Sequence, residues 1–344
     1  MPWLKSLVWF LKRRIQGSPR LYGIVYSALT FNGDRLRGLA ARGRTPSRFG
    51  GLWTDRDDFE DQLRRRRASG AVRPDEEARL REWRERGAIV FRGAVDPARI
   101  DALVAEFARL PVEHPPGLQI TGNAHRESQP YRPEAIQPHD SIRIVDYYFF
   151  SERCRALLFD PAIVRFLRTV FEAEPILTQS LSFEHGSEQL MHQDTAFVIM
   201  NTPLRFAASW IALEDIREGS GELMYYPGSH RWDDFLFSGR FKHWDRERDG
   251  DQQLVDWQRW MDREAERRGV SREIFRANKG DVLIWHGGLA HGGAPIRDSA
   301  LTRRSLVGHY CASGTRPLYH YYKPAHRKIY EVDGNRFSSS HYRR

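Results

Sequence analysis

A helix-patterned, charged front end, a series of short β-patterned runs punctuated by Gly, Pro and Asp, and a strongly basic first fifty residues together predict the fold class. They describe an α+β protein with a mainly β core, a double-stranded β-helix or jelly roll, buttressed by helices and preceded by an N-terminal helical basic arm. At 344 residues and 40% hydrophobic content the chain can bury a full core. We divide it into a basic, amphipathic arm or helical extension at 1–70, a jelly-roll domain at 71–315 with a helical insertion at about 231–275, and a C-terminal tail at 316–344.

The arm comes first. Leu4, Leu7, Val8, Leu11 and Ile15 fall on one helical stripe with cations gathered after it, and Ser18-Pro19 ends the pattern. Residues 1–50 hold ten Lys and Arg against Asp34 alone, so the whole net charge of +9 sits there and the rest of the chain is balanced. A basic groove for nucleic acid is therefore disfavoured. One reading is peripheral contact of residues 1–50 with an anionic membrane, at about 1 kcal/mol per cation near the surface, and disorder up to Gly50 is a lesser one. A helix packed on the domain or used in an oligomer contact carries equal weight. No run reaches membrane-spanning length. Cys154 and Cys311 have no paired spacing, which fits a reducing, cytoplasmic setting, with the inner face of a membrane as the peripheral site.

Residues 49–70 pattern as a solvated helix with an acidic start and a basic end, matching the helix dipole. Residues 75–86 form a second helix carrying Leu80 and Trp83, ended by Gly87 and followed by a strand at 88–91. Asp96-Pro97 starts a third, with Ile100, Leu103, Val104 and Phe107 as its buried stripe. Residues 111–140 read as one long loop, a length uncommon unless it lies over a site. A strand at 143–150 and an amphipathic helix at 154–171 follow, then strands at 176–183, 195–200, 206–213, 221–226, 281–285 and 305–311. Between them the insertion sets Trp257, Trp260 and Met261 at helical spacing, as an excursion packed on the β core or as a lid over substrate.

Met191-His192-Gln193-Asp194-Thr195 carries the first chemistry. On an extended strand, residues two apart share a face, so His192 and Asp194 offer a nitrogen and an oxygen to one point. A second His turns such a pair into the two-His, one-carboxylate set that suits Fe(II) and leaves coordination positions open. Alone, His-x-Asp is a weak signal. The stretch 280–293 is a turn, an apolar strand and a glycine-rich end bearing His286 and His291. Either imidazole could complete the set, since the glycines let backbone approach an ion.

The order of motifs is more specific than any one of them. His-x-Asp is followed by Trp210-Ile211-Ala212-Leu213-Glu214-Asp215, Gly219-Ser220-Gly221-Glu222-Leu223, Tyr226-Pro227-Gly228-Ser229-His230 and Gly280-Asp281 with His291. In this order the chain resembles the phytanoyl-CoA dioxygenase family of Fe(II)/2-oxoglutarate-dependent oxygenases, over roughly residues 75–312. The resemblance implies a cupin-like jelly roll, His192, Asp194 and His291 as metal ligands, Fe(II) as the metal, and 2-oxoglutarate and O2 as co-substrates. It puts the family's co-substrate arginine on Arg303, one residue later than the commonest spacing, with Arg304 as the alternative. Arg303 and Ser305 share a strand face, so a guanidinium fork and a hydroxyl can both meet the far carboxylate of 2-oxoglutarate. Ile296 stands where the family usually has Asn.

The implied activity is that of a dioxygenase hydroxylating an unactivated C–H bond of a small-molecule or lipid-like substrate, with release of succinate and CO2. Related halogenases lack the carboxylate that Asp194 retains. The rival from another class is a non-catalytic metal- or carboxylate-binding jelly-roll protein tethered to anionic membrane by its basic arm.

Overall fold

The structure, a computed structural model, describes residues 45–122, 128–318 and 328–343. The amphipathic stripe of the arm lies outside the described residues. Within them, Phe59–Ala68 (α1) is the helix expected in the 49–70 stretch, with Glu60 and Asp61 in its first turn and Arg65, Arg66 and Arg67 in its last. It is not solvated all round, because Phe59 and Leu63 are buried in the main core together with Leu52 and Trp53 from the turn before it. Glu77–Arg86 (α2) buries Leu80 and Trp83, ends at Gly87 with φ 72°, and leads into Ala88–Phe91 (β1). Position 87 needs glycine twice over: the backbone is left-handed, and an added Cβ would lie 2.3 Å from His230 Nδ1. Pro97–Glu113 (α3) starts where Asp96 caps it by accepting from Ala98 N.

Four expectations change. The stretch 111–140 is not one loop: α3 continues through Pro111, and Gln119–Thr121 (β2) and Gln129–Pro130 (β3) join the main sheet. Strands of two or three residues leave no readable alternation. The strand at 143–150 stops after Arg143–Val145 (β4), because Asp146 turns left-handed (φ 51°) and Tyr147–Phe149 coils into one helical turn. The helix at 154–171 is two, Glu152–Leu158 (α4) and Pro161–Phe171 (α5). The break falls at Asp160-Pro161, where proline supplies no N–H and the Asp160 side chain caps Ala162 N. Residues 195–200 are not a strand, since Asp194 O accepts from Phe197 N at 2.9 Å and Val198 N at 2.7 Å and curls Asp194–Ala196 into a helical turn.

The long strands are Pro175–Phe183 (β5), Phe206–Ala212 (β6), Val282–His286 (β9) and Ser305–Ala312 (β11). They form the centre of a 10-stranded sheet in the order β1-β9-β6-β11-β5-β4-β2-β3. Leu223–Tyr225 (β7), Glu273–Phe275 (β8) and His291–Gly293 (β10) make the second sheet, in the order β10-β7-β8, and the two do not close into a barrel. Period-two alternation explains the layers. Phe206, Ala208, Trp210, Leu283, Trp285 and Val307 point between the sheets, whereas Ala207, Ile211, Val282, Ile284 and Leu306 point out against α1 to α5. This is a helix-buttressed jelly roll.

The insertion contains Arg246–Arg268 (α6), kinked at Gly250, whose Trp257, Met261 and Ala265 form a third core with Phe237 and Phe241. Met191 and Ala196 belong to that same core, so the insertion packs directly on the segment carrying His192 and Asp194. At the other terminus Tyr330–Val332 (β12) and Asn335–Phe337 (β13) form a hairpin, and β13 adds to β5 in parallel.

Candidate metal centre and co-substrate pocket

His192 and His291 face each other across two backbone hydrogen bonds, His192 N to His291 O and the reverse, both 2.8 Å. His192 is thus held beside β10 by a single bridge and not by a strand of its own. Gln193 between the ligand candidates remains extended (φ −107°, ψ 132°), so the period-two placement of His192 and Asp194 survives although the strand does not. Asp194 Oδ1 lies 3.9 Å from His192 Nε2 and 3.6 Å from His291 Nε2. The three donor atoms stand within 4.8 Å of one another, and all three residues are buried.

The tautomers are set from outside the cluster. His192 Nδ1 donates to Leu190 O at 2.8 Å and His291 Nδ1 to Leu289 O at 3.0 Å, each two residues back, which leaves both Nε2 lone pairs directed inward. Burial, reinforced by the neighbouring His291, pushes His192 down to about 4, so it is a neutral donor at ordinary pH. Burial alone would raise the Asp194 carboxyl. The imidazoles of His291, His309 and His192, with the Trp285 N–H, outweigh it and hold Asp194 below the usual carboxylate range. Two imidazole nitrogens and one carboxylate converging from one side are what a divalent ion with open positions requires.

Trp285 was not legible as a site residue. Its Nε1 donates to Asp194 Oδ2 at 2.8 Å, fixing the carboxylate so that Oδ1 faces the imidazoles. Trp285→Phe keeps the ring and deletes the donor. About 10-fold weaker Fe(II) binding is expected, measured by anaerobic titration of the apoprotein. His286, the other candidate from the sequence, takes no part in the cluster: its Nε2 donates to the Asp55 carboxylate at 3.2 Å.

Arg303 is buried, and burial pushes its guanidinium down to about 10, still a cation at neutral pH. Among the described residues no carboxylate lies within ion-pair distance of it. Its Nη2 reaches only His185 O, at 3.5 Å, and its Nε has no hydrogen-bond partner. Ser305 Oγ and Trp210 Nε1 are buried without partners as well, and the Trp210 ring lies 5.9 Å from the Arg303 guanidinium carbon. A buried cation with unpaired donors around it costs several kcal/mol unless an anion supplies the missing acceptors. Arg304, in contrast, is partly exposed and pairs with Glu184 at 3.0 Å and Glu214 at 3.5 Å. From Arg303 the face continues through Ser305 and Val307 to His309, whose Nδ1 bonds Gln179 Oε1 at 2.9 Å and whose Nε2 lies 4.0 Å from Asp194 Oδ1. Arg303 and the His-Asp-His cluster thus lie along one interior face.

A jelly roll that carries such a donor set beside a buried, unpaired arginine belongs with the Fe(II)- and 2-oxoglutarate-dependent oxygenases. Within that class the phytanoyl-CoA dioxygenase family model matches residues 83–305, and the chain belongs to that family. Among solved structures, the non-heme alpha-ketoglutarate-dependent epimerase SnoN from nogalamycin biosynthesis has a similar fold, with a TM-score of 0.51, 18% identity, and cover of 71% of this chain and 86% of that one. EctD from S. alaskensis with bound Fe is similar to the same degree, with a TM-score of 0.51 and 18% identity over 72% of this chain and 79% of that one. No curated protein matches the chain. Among the described residues, no helix is long and apolar enough to cross a membrane.

Proposed function

We propose that Fe(II) is held by His192 Nε2, Asp194 Oδ1 and His291 Nε2, and that Arg303 and Ser305 receive the far carboxylate of 2-oxoglutarate. When bound, metal and co-substrate together supply an oxidant for a C–H bond, with succinate and CO2 released. The chain's own part is to aim the imidazoles through their Nδ1–H bonds, keep Asp194 ionised, and pair the buried Arg303 guanidinium with the co-substrate's far carboxylate. Asp194 occupies a position that a halide would otherwise need, which favours hydroxylation over halogenation. The oxygenase domain of 71–315 is completed by the packing of residues 52–63 and 330–342 on its core, and we assign residues 1–50 to peripheral contact with anionic membrane at the cytoplasmic face.

The observation that carries the substrate reading is Phe197. Phe197 is 47% exposed and its ring lies 5.9 Å from the His192 ring, so an exposed aromatic side chain flanks the buried cluster. Leu190, two residues before His192, is 66% exposed, and Trp244 from the insertion stands 6.3 Å from Phe197. An apolar rim at an otherwise polar site favours an amphiphilic, lipid-like substrate. The test is succinate release and product mass across lipid, acyl-CoA and amino-acid panels. We expect stimulation by a lipid-like member and a product heavier by one oxygen atom. Stimulation by amino acids alone would remove the substrate reading, and a product of unchanged mass would remove hydroxylation.

A further inference from the structure

A circuit of hydrogen bonds leaves the segment at residues 47–55, passes both ligand-bearing segments, and returns to it. Asp55 Oδ2 accepts from Leu52 N at 2.7 Å and from His286 Nε2 at 3.2 Å. The other nitrogen, His286 Nδ1, accepts from Gly288 N at 3.0 Å, and Gly288 O accepts from Gln193 Nε2 at 2.7 Å. Gln193 Oε1 faces Lys242 Nζ at 3.4 Å, Lys242 pairs with Asp234 at 2.8 Å, and Asp234 accepts from Ser47 Oγ at 2.8 Å and Arg48 N at 3.1 Å. Asp55, His286, Gln193 and Lys242 are all buried, where such bonds are strong and each missing partner is costly. Gly51 leaves room for the carboxylate, since a Cβ there would lie 2.6 Å from Asp55 Oδ2.

The circuit joins two places of consequence. Gln193 sits between His192 and Asp194, and residues 286–288 end β9 and begin the turn that delivers His291. We infer that Asp55, Gln193 and Lys242 are positioning residues: through this circuit, residues 47–55 clamp the His192-Gln193-Asp194 segment against the turn leading to His291 and so set the spacing of the metal ligands. The inference rests on the ligand assignment proposed above. It gives the N-terminal segment and the insertion one role at the iron site without either touching the metal.

The test compares Asp55→Ala and Lys242→Met, which open the circuit on opposite sides, with Leu63→Ala, which empties core volume on α1 outside it. Fe(II) dissociation constants and the absorption band formed with 2-oxoglutarate are read anaerobically on the full chain, beside urea stability. Each circuit variant should bind Fe(II) about 10-fold more weakly and shift the band, the scale expected when a ligand's support is lost. Leu63→Ala should lose stability and keep both. Asp55→Asn, which retains an oxygen for the His286 Nε2–H, should recover most of the affinity. Circuit variants that bind Fe(II) as the parent does, with only the stability loss of Leu63→Ala, would overturn the inference. Retention of iron by His192→Ala would instead remove the ligand assignment beneath it.

Discussion

Alanine at position 192 is expected to abolish Fe(II)-dependent succinate release while leaving the protein folded. His192 contributes its Nε2 to the proposed triad, and its Nδ1 bond to Leu190 O serves only to aim that nitrogen. The backbone bridge to His291 does not use the side chain, so the polypeptide around the cluster persists in the variant. Losing a supporting hydrogen bond at a metal site costs 10- to 100-fold in affinity as a rule, and losing a ligand itself should exceed about 100-fold. Bound iron after anaerobic dialysis and succinate release measure the two consequences, with urea denaturation as the control for folding. Full turnover in the variant would remove His192 from the metal.

Methionine at position 303 should act in two opposite directions. A guanidinium that is buried, cationic and short of acceptors is a burden on the protein without co-substrate, and an apolar side chain of similar length relieves it. Thermal stability without 2-oxoglutarate should therefore be unchanged or higher. The affinity for 2-oxoglutarate should fall about 100-fold, equivalent to about 3 kcal/mol, because the charge-assisted fork on the far carboxylate is gone. Arg304→Met supplies the contrast. Its surface pairs with Glu184 and Glu214 are worth about 1 kcal/mol or less, and its removal should leave 2-oxoglutarate binding unaltered. Loss of 2-oxoglutarate affinity in the Arg304 variant and not in the Arg303 variant would reverse the assignment.

Sequence legibility follows the range of the interaction responsible. The end of α2 at Gly87 and the strand after it are readable because helix periodicity, a left-handed cap and an apolar run all lie within fifteen residues. The proximity of His192 and Asp194 is equally local, since one extended residue between them suffices. That Asp194 turns into a helix was not readable, because nothing in Thr195 to Met200 opposes a strand. The turn comes from Asp194 O accepting two amide hydrogens and from Trp244 N bonding Ala196 O at 3.1 Å, a partner in the insertion. The Asp160-Pro161 break was readable in principle from the Asp-Pro pair, the same signal that marks Asp96-Pro97. Asp55 gives no local sign of its place beside His286, 231 residues away. Its acidic neighbours make it look like the solvated start of a helix.

The role proposed for Arg303 shows the remaining limit of local reading. Spacing leaves Arg303 and Arg304 as neighbours with equal chemistry, and alternation says only that they point opposite ways. The tertiary environment separates them: one enters the space between the sheets near Phe183 and Trp210, while the other meets two glutamates at the surface.

The most direct test of the central claim is an anaerobic titration of the metal-free full chain with Fe(II) and then 2-oxoglutarate, followed by visible absorption. One equivalent of Fe(II) should bind, and 2-oxoglutarate should then raise a weak metal-to-ligand charge-transfer band that is lost in His192→Ala and needs far higher co-substrate in Arg303→Met. A chain that takes up no Fe(II), or forms the band undiminished in both variants, would contradict the account.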